Sequence, residues 1–322
     1  MKKNYPSLTL SHLQKLCRKG EIRIDGHRTT ATAVLTEGME IKLPPYIVEY
    51  ANASNASTNS AQKKSSYTNA DIENILNTII NEDDEIIVLN KPAGLATQGG
   101  TNITKHLDSL INTALPQFNG NLRLTHRIDK DTSGIVVIAK NYDSANKIAT
   151  LFKERKIHKT YHALVYGNFD TKEHEGTIDT PIATNPTRAK AKLSPSQKTS
   201  PMSVMRGKKS ANSDNEDIEF KPALTTYRVL DEAFSLLSLV ELHPHTGRTH
   251  QLRIHLSGIS HPIIGDFKYA TANEFAMLRD SLEINLPRNL YLHAYEIEIE
   301  GKPKIRAPYP EHFKKICKYL NF

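Results

Sequence analysis

The sequence predicts an α+β protein: a mixed, largely antiparallel sheet with flanking helices, preceded by a small basic α/β unit. Three observations predict it. Apolar runs that read as strands and amphipathic stretches that read as helices are interleaved without a strict βαβ rhythm, which disfavours a doubly wound parallel sheet. The stretch "YANASNASTNSAQKKSSYTNA", Tyr50 to Ala70, has no apolar periodicity and separates two patterned regions. The chain has 322 residues, 38% hydrophobic and 24% charged, enough for two domains with one sizeable core.

Residues 7–48 read as one unit, assigned here to a domain over 1–48. Leu10, Leu13, Leu16 and Cys17 recur at helical spacing, with Ser11 as candidate cap and Gly20 as stop. "EIRID" alternates, Asp25-Gly26 marks a turn, and "EGMEIKLP" reads as a closing strand that Pro44-Pro45 ends. A flexible linker is expected over 49–72, rich in small polar residues. The remainder, 73–322, reads as the larger domain. "DEIIVLNKPAGLATQGG" predicts a buried strand at Ile86–Leu89 and a turn at Lys91-Pro92. "YDSANKIATLFKER" predicts an amphipathic helix with Ile148, Ala149, Leu151 and Phe152 inward, capped by Asp143 or Ser144. "TYHALVYG" and "FSLLSLVELHP" read as strands. "RTHQLRIHLSGI" reads as a helix through Leu252, Leu256 and Ile259. Residues 194–220 run from a basic part to an acidic one with Ser, Asn and Pro throughout, so a disordered surface insertion is expected.

A net charge of +7 and a pI near 9.1 bias the chain toward polyanions. Residues 1–48 hold eight Lys/Arg against four Asp/Glu, a net +4. Lys15, Arg18, Lys19, Arg23 and Arg28 surround the predicted helix–turn–strand, a layout suited to tracking a phosphate backbone. A solvated amphipathic face would carry the same charges. No apolar run approaches the ~20 residues of a membrane helix, and "MKKNYPSLTL" has no apolar h-region. Cys17 and Cys317 form neither a disulfide framework nor a zinc motif, so a cytoplasmic location is expected.

The P-loop, the dinucleotide fingerprint and HExxH are all absent. Five histidines lie between His243 and His261 without interleaved carboxylates or cysteines, which fits polar contacts to RNA better than a metal site. The stretch "LTHRIDKDTSGIVVIAK", Leu124 to Lys140, is the most telling. It sets Asp129 among His126, Arg127 and Lys130, directly before an apolar run. Neighbouring cations favour an ionised carboxylate. Such a group can act as nucleophile, base or charge stabiliser; an ordinary turn aspartate would fit the same place.

"HRIDKDTSG" resembles the HRLDxxTSG signature of the RluA-type pseudouridine synthases. In the same order, "EDDEIIVLNKPAGL", "FKERKIHKTYHALVYG", "HPHTGRTHQLRIHLSGISHPIIGDFKYA" and "LYLHAYEIEI" resemble the family's other motifs. Together they span about 80 to 310. The basic unit resembles the S4 RNA-binding module that many members carry in front, either shortened at its start or with its true start upstream. Within the family the arrangement is most similar to the large-subunit ribosomal RNA branch of synthase C, with the synthase D branch as alternative. A non-catalytic RNA-binding assembly factor on the same scaffold is the alternative of a different class.

The resemblance implies a cofactor-free, metal-free isomerisation of specific uridines in RNA, with 23S ribosomal RNA or a large ribosomal subunit precursor as partner and a monomer as the acting form. It maps the essential aspartate onto Asp129, its cation partner onto Arg253 and the active-site tyrosine onto Tyr161. It maps onto Arg127 the arginine that enters the RNA stack when the uridine leaves. His126, Arg248 and His250 are expected to contact phosphate or sugar, as are Lys15, Arg18, Lys19 and Arg23 in the basic unit. Three roles stay open for Asp129: attack on C1′, attack on C6, or removal of the C2′ proton. Thr132, Ser133 and Gly134 are expected to shape the turn that carries it.

Overall fold

The structure, a computed structural model, describes residues 10–44, 67–100, 103–184, 219–270 and 288–322. The chain divides into two units, Met1–Ser66 and Tyr67–Phe322.

In the first unit, α1 (Leu10–Lys19) leads into three short strands, β1 (Arg23–Ile24), β2 (His27–Arg28) and β3 (Ile41–Lys42), ordered β2-β1-β3 and all antiparallel. Ser11 lies inside α1 and not ahead of it, so it is not the cap that the spacing suggested. Asp25 (φ +48°) and Gly26 (φ +76°) form the tight hairpin turn, because a two-residue loop that follows strand twist needs positive φ at both positions. Asp25 Oδ1 also accepts the Glu40 N–H at 2.8 Å, which ties the third strand to this turn. The core is small: Leu16, Cys17 and Ile22, with Leu13, Ile41 and Leu43 against it. Lys15, Arg18, Lys19 and Arg23 are all exposed.

The second unit opens on α2 (Asn69–Leu76). The linker therefore stops short of its expected end at residue 72. The signal passed over was "TNAD": Thr68 Oγ1 accepts from Asp71 N at 3.1 Å, and Asp71 Oδ2 accepts from Thr68 N at 2.8 Å, a reciprocal capping box. Residues 45–66, the rest of the expected linker, lie outside the described residues.

One large sheet organises this unit. Its strands are β4 (Ile79–Glu82), β5 (Ile86–Lys91), β6 (Arg123–Leu124), β7 (Ser133–Ala139), β8 (Ile157–Tyr166), β9 (Glu175–Asp179), β12 (Leu224–Ala233), β13 (Leu237–Pro244), β14 (Leu292–Ile299) and β15 (Ile305–Arg306). The order is β4-β5-β7-β14-β8-β13-β12-β9, with β6 on β7 and β15 on β14. Every pairing is antiparallel among the described residues except β7 with β14. The mixed, largely antiparallel sheet is thus present. Ser133–Ala139 is buried along its whole length, as a continuous apolar run in a central strand should be.

Helices α3 (Leu107–Ala114), α4 (Tyr142–Lys153), α5 (Gln251–Gly258) and α6 (Glu311–Leu320) complete the unit. The cap of α4 is Asn141, whose Oδ1 accepts from Ser144 N at 2.8 Å, not Asp143 or Ser144. Ile148 faces inward, but Ala149 is exposed, one helical step of ~100° off the buried stripe. Helix α5 is buried from Gln251 through Ser257, so it is embedded rather than amphipathic.

A small ladder, β10 (Ile182–Ala183) with β11 (Phe220–Lys221), marks where the chain leaves and returns around 185–218. Phe220 belongs to a strand, so the expected insertion over 194–220 ends too late; its remainder up to 218 lies outside the described residues. No helix among the described residues is long and apolar enough to cross a membrane.

Candidate active site

Asp129 sits in the loop between β6 and β7, and that loop is held from several sides. Thr97 Oγ1 donates to the Ile128 carbonyl at 2.6 Å. The Thr132 N–H reaches the Asp129 carbonyl at 3.2 Å, and the Gly94 N–H reaches the Lys130 carbonyl at 2.9 Å. Lys91, fully buried, points its Nζ at the carbonyls of Pro92 (2.8 Å), Leu95 (2.8 Å) and Lys130 (3.0 Å). Burial pushes its pKa down to about 7, while the carboxylates of Asp131 and Asp129 pull the other way. Three carbonyls match the three donors of an ammonium group. Lys91 is therefore a clamp on the Asp129 loop, not merely a turn residue.

The end of the loop is fixed by the parallel pairing of Ser133 and Gly134 with His293 and Ala294. Gly134 has φ +108°, and a Cβ there would lie 2.6 Å from Ala294 N, closer than real Cβ atoms come. Ser133 Oγ and His293 Nδ1 are 2.9 Å apart, and His293 Nε2 is 3.2 Å from the Ala307 carbonyl. A carbonyl only accepts, so Nε2 carries the proton and Nδ1 accepts from the serine. Burial holds the His293 pKa down to about 4, which keeps the ring neutral. Gly134→Ala combines left-handed strain with a backbone clash, so it should cost at least ~3 kcal/mol. Urea denaturation of the purified variant measures this, and a loss under ~1 kcal/mol would mean that the pairing yields easily.

Helix α5 supplies the other side. Arg253, 7% exposed, donates from Nε to Asp266 Oδ2 at 2.7 Å and from Nη2 to Asp266 Oδ1 at 2.8 Å. This is the fork-to-carboxylate geometry of a strong ion pair. Its remaining Nη1 lies 3.6 Å from Asp129 Oδ2. Burial opposes the guanidinium charge, but Asp266 and Asp129 more than offset it and the pKa is raised. Asp266, 1% exposed, follows Gly265 (φ +79°), where a Cβ would come 2.6 Å from the Asn289 carbonyl carbon.

His250, in the left-handed conformation (φ +55°), precedes α5. Its Nδ1 is 2.7 Å from Tyr269 Oη and its Nε2 3.9 Å from Asp129 Oδ2. Burial lowers its pKa to about 4 against the pull of Asp129, so the ring is neutral at pH 7. Tyr161 on β8 is buried, and burial together with the Asp129 charge raises its pKa. It stays a phenol.

The structure therefore brings Asp129, Arg253, Tyr161 and His250 into one neighbourhood. Asp129 lines a cleft of about 1400 Å³, together with Arg127, Arg248 and Phe152. Arg253, His250 and Asp131 line a second cavity of about 620 Å³. Arg127 is exposed in the large cleft, and Arg248 lines it while its Nε donates to the Pro222 carbonyl at 3.1 Å.

His126 corrects an expectation. Its Nε2 accepts the Val137 N–H at 3.1 Å, and burial, aided by the Lys159 charge, pushes its pKa down to about 3. It is therefore not a cation beside Asp129; it anchors the loop to β7 and lines the same cleft as Asp129. Lys15, Arg18, Lys19 and Arg23 belong to the first unit, Met1–Ser66. The five histidines are dispersed: His255 bonds Thr225 and the Thr180 carbonyl, while His261 stacks on Phe169 at 3.7 Å. No group of three His, Cys, Asp or Glu side chains among the described residues is placed to hold a metal ion. Sequence reasoning missed Asp266 and His293 as site residues and left Lys91-Pro92 open between lining the cleft and merely turning the chain, although all three residues lie in the family motifs.

A family model described as RNA pseudouridylate synthase matches residues 85–258, more than half of the chain. The chain belongs to this family. As a pseudouridine synthase it is an isomerase. It is 32% identical to the ribosomal large subunit pseudouridine synthase C of Rickettsia bellii, over 98% of this chain and 95% of the relative. Identity to the protein of the same name from Vibrio cholerae is 30%, over 97% and 88%. Human RNA pseudouridylate synthase domain containing 4 shares the synthase fold with TM-score 0.59 at 27% identity, covering 78% of this chain and 95% of that one. Human RNA pseudouridylate synthase domain containing 1 gives 0.53 at 27%, covering 74% and 84%.

Proposed function

We propose that this synthase isomerises specific uridines of 23S ribosomal RNA to pseudouridine, as a cytoplasmic monomer and without cofactor, with Asp129 as the reacting carboxylate. The observation that carries this reading is the approach of Asp129 to Arg253, 3.6 Å apart, beside a cleft roomy enough for an everted nucleoside. The large-subunit substrate is supported by the names of the relatives. Arg253 sets a positive charge beside Asp129. Tyr161, protonated, stacks on the uracil and directs its hydroxyl at the carboxylate or the ring. Arg127 fills the gap left by the extruded base, whose unstacking costs a few kcal/mol. Attack on C1′, attack on C6 and removal of the C2′ proton all need this ionised group. The reading is tested by mapping pseudouridine in ribosomal RNA from cells with and without the gene: sites lost with the gene support it, and an identical map refutes it.

The first unit acts as an S4-like RNA-binding module through Lys15, Arg18, Lys19 and Arg23, exposed around its helix and hairpin. Deleting residues 1–48 should weaken RNA binding and flatten its salt dependence by ~0.7–0.9 in log–log slope for each phosphate that the unit neutralises. An unchanged slope in salt titrations would mean that this unit does not touch phosphate.

A further inference from the structure

We infer that Lys153, Arg155 and Lys159 form a phosphate-binding wall, outside the catalytic centre, for the RNA strand that flanks the target uridine. The inference rests on the RNA substrate proposed above and places part of that substrate on the enzyme.

The first observation is backbone geometry. Helix α4 ends in a Schellman motif: the Lys156 N–H reaches the Leu151 carbonyl at 2.9 Å and the Arg155 N–H the Phe152 carbonyl at 3.2 Å. The residue in the left-handed position is Arg155, φ +60°. Glycine is the usual occupant there, because any Cβ is strained. An arginine in this position works against the cap, so its side chain has a use that the cap does not supply.

The second observation is where ion pairs are withheld. Several cations of this unit are matched: Lys156 with Glu154 (3.3 Å) and Glu300 (3.0 Å), Lys147 with Glu85 (2.7 Å), Lys140 with Glu82 (2.6 Å) and, in the same cleft, Lys304 with Glu298 (2.9 Å). Among the described residues, Lys153, Arg155 and Lys159 have no carboxylate within 4.0 Å. All three line the cleft that Asp129 lines. Lys159 is half-buried, and burial lowers its pKa. An ammonium desolvated without a counter-ion is unfavourable until an anion arrives.

Space and shape agree. A cleft of about 1400 Å³ exceeds the ~300–1,000 Å³ of a small-molecule site, so it admits more than the target nucleoside. Phe152 lines it as well, its ring 5.9 Å from Lys159 Nζ. An aromatic face beside unpaired cations is the make-up of a single-strand site, with bases stacked and phosphates paired.

The test separates binding from folding. The full chain and its Arg155→Gly variant are titrated with an in vitro transcript of large-subunit ribosomal RNA across roughly 50–200 mM salt. Arg155→Gly should raise Kd about threefold to tenfold and shrink the log–log salt slope by ~0.7–0.9, while Tm stays level or rises because the strain is relieved. Adding Lys159→Met should remove a second increment of the same size. An unaltered slope in the folded double variant overturns the wall. Pseudouridine formation by the unmodified chain on the same transcript keeps the two ideas apart. Product with unaltered slopes sinks the wall alone, and a transcript neither bound nor modified sinks both.

Discussion

Asp129→Asn will abolish pseudouridine formation and leave RNA affinity within a few-fold of the unmodified chain. Asparagine has the same shape and keeps a carbonyl oxygen facing Arg253, but it carries no charge and neither attacks carbon nor takes a proton. The fold does not depend on the removed charge, because Arg253 keeps its bidentate partner Asp266 at 2.7 and 2.8 Å. The loop keeps its backbone anchors from Thr97 and Lys91. The rate should fall by at least ~10³, at the upper part of the range for removing a proton-transfer or nucleophilic group. Release of tritium from C5 of a [5-³H]uridine transcript measures turnover, and filter binding measures affinity. A rate within tenfold of the unmodified chain would remove Asp129 from the chemistry.

Asp266→Ala will cost ~3–5 kcal/mol of stability, because it strands a guanidinium that is 7% exposed. The backbone N–H groups of Lys268 and Tyr269, which Asp266 Oδ1 accepts at 3.0 and 3.2 Å, are left without this acceptor at the same time. In any folded remainder Arg253 is free to swing fully onto Asp129, so turnover falls as well. Asp266→Asn keeps the shape and should fall between. The double change Arg253→Met with Asp266→Leu separates the two effects: removing both charges should recover much of the stability and none of the activity. Urea denaturation reads the first quantity and tritium release the second. A loss below ~1 kcal/mol in Asp266→Ala would mean that water or another group takes over the guanidinium.

Much of the architecture is legible in the residues. Ile135–Ala139 is apolar without alternation and becomes a strand buried on both faces. Asp25-Gly26 is a hairpin turn because those two residues tolerate positive φ. Among the elements read from the sequence the errors lie at boundaries, where one hydrogen bond decides; α3, α6, β9 and β12 were not read at all. Thr68 and Asp71 turned expected linker into helix, and Asn141 took the cap expected at Asp143 or Ser144.

The site divides differently. Asp129 was marked by charge density beside an apolar run, a local pattern, while its TSG turn came with the family resemblance. Arg253 and Tyr161 came only with the family resemblance. His126 looked like a cation because it stands next to Arg127, and only the fold turns its Nε2 onto Val137 N. Nothing around Lys91 says that its Nζ will span to the carbonyl of Lys130, 39 residues away.

The residues by themselves determined several of the helices and strands, where the basic unit lies, and that a carboxylate stands among cations ahead of a buried strand. Propensity, periodicity and turn chemistry act between near neighbours, so they can be read along the chain. Only the tertiary structure decided that Asp266, and not Asp129, holds Arg253 in its fork, that His126 is neutral, and that Gly134 must be glycine because Ala294 packs against it. Each of these depends on burial and on groups brought together across the sheet, and desolvation is a property of the surroundings that no single segment carries.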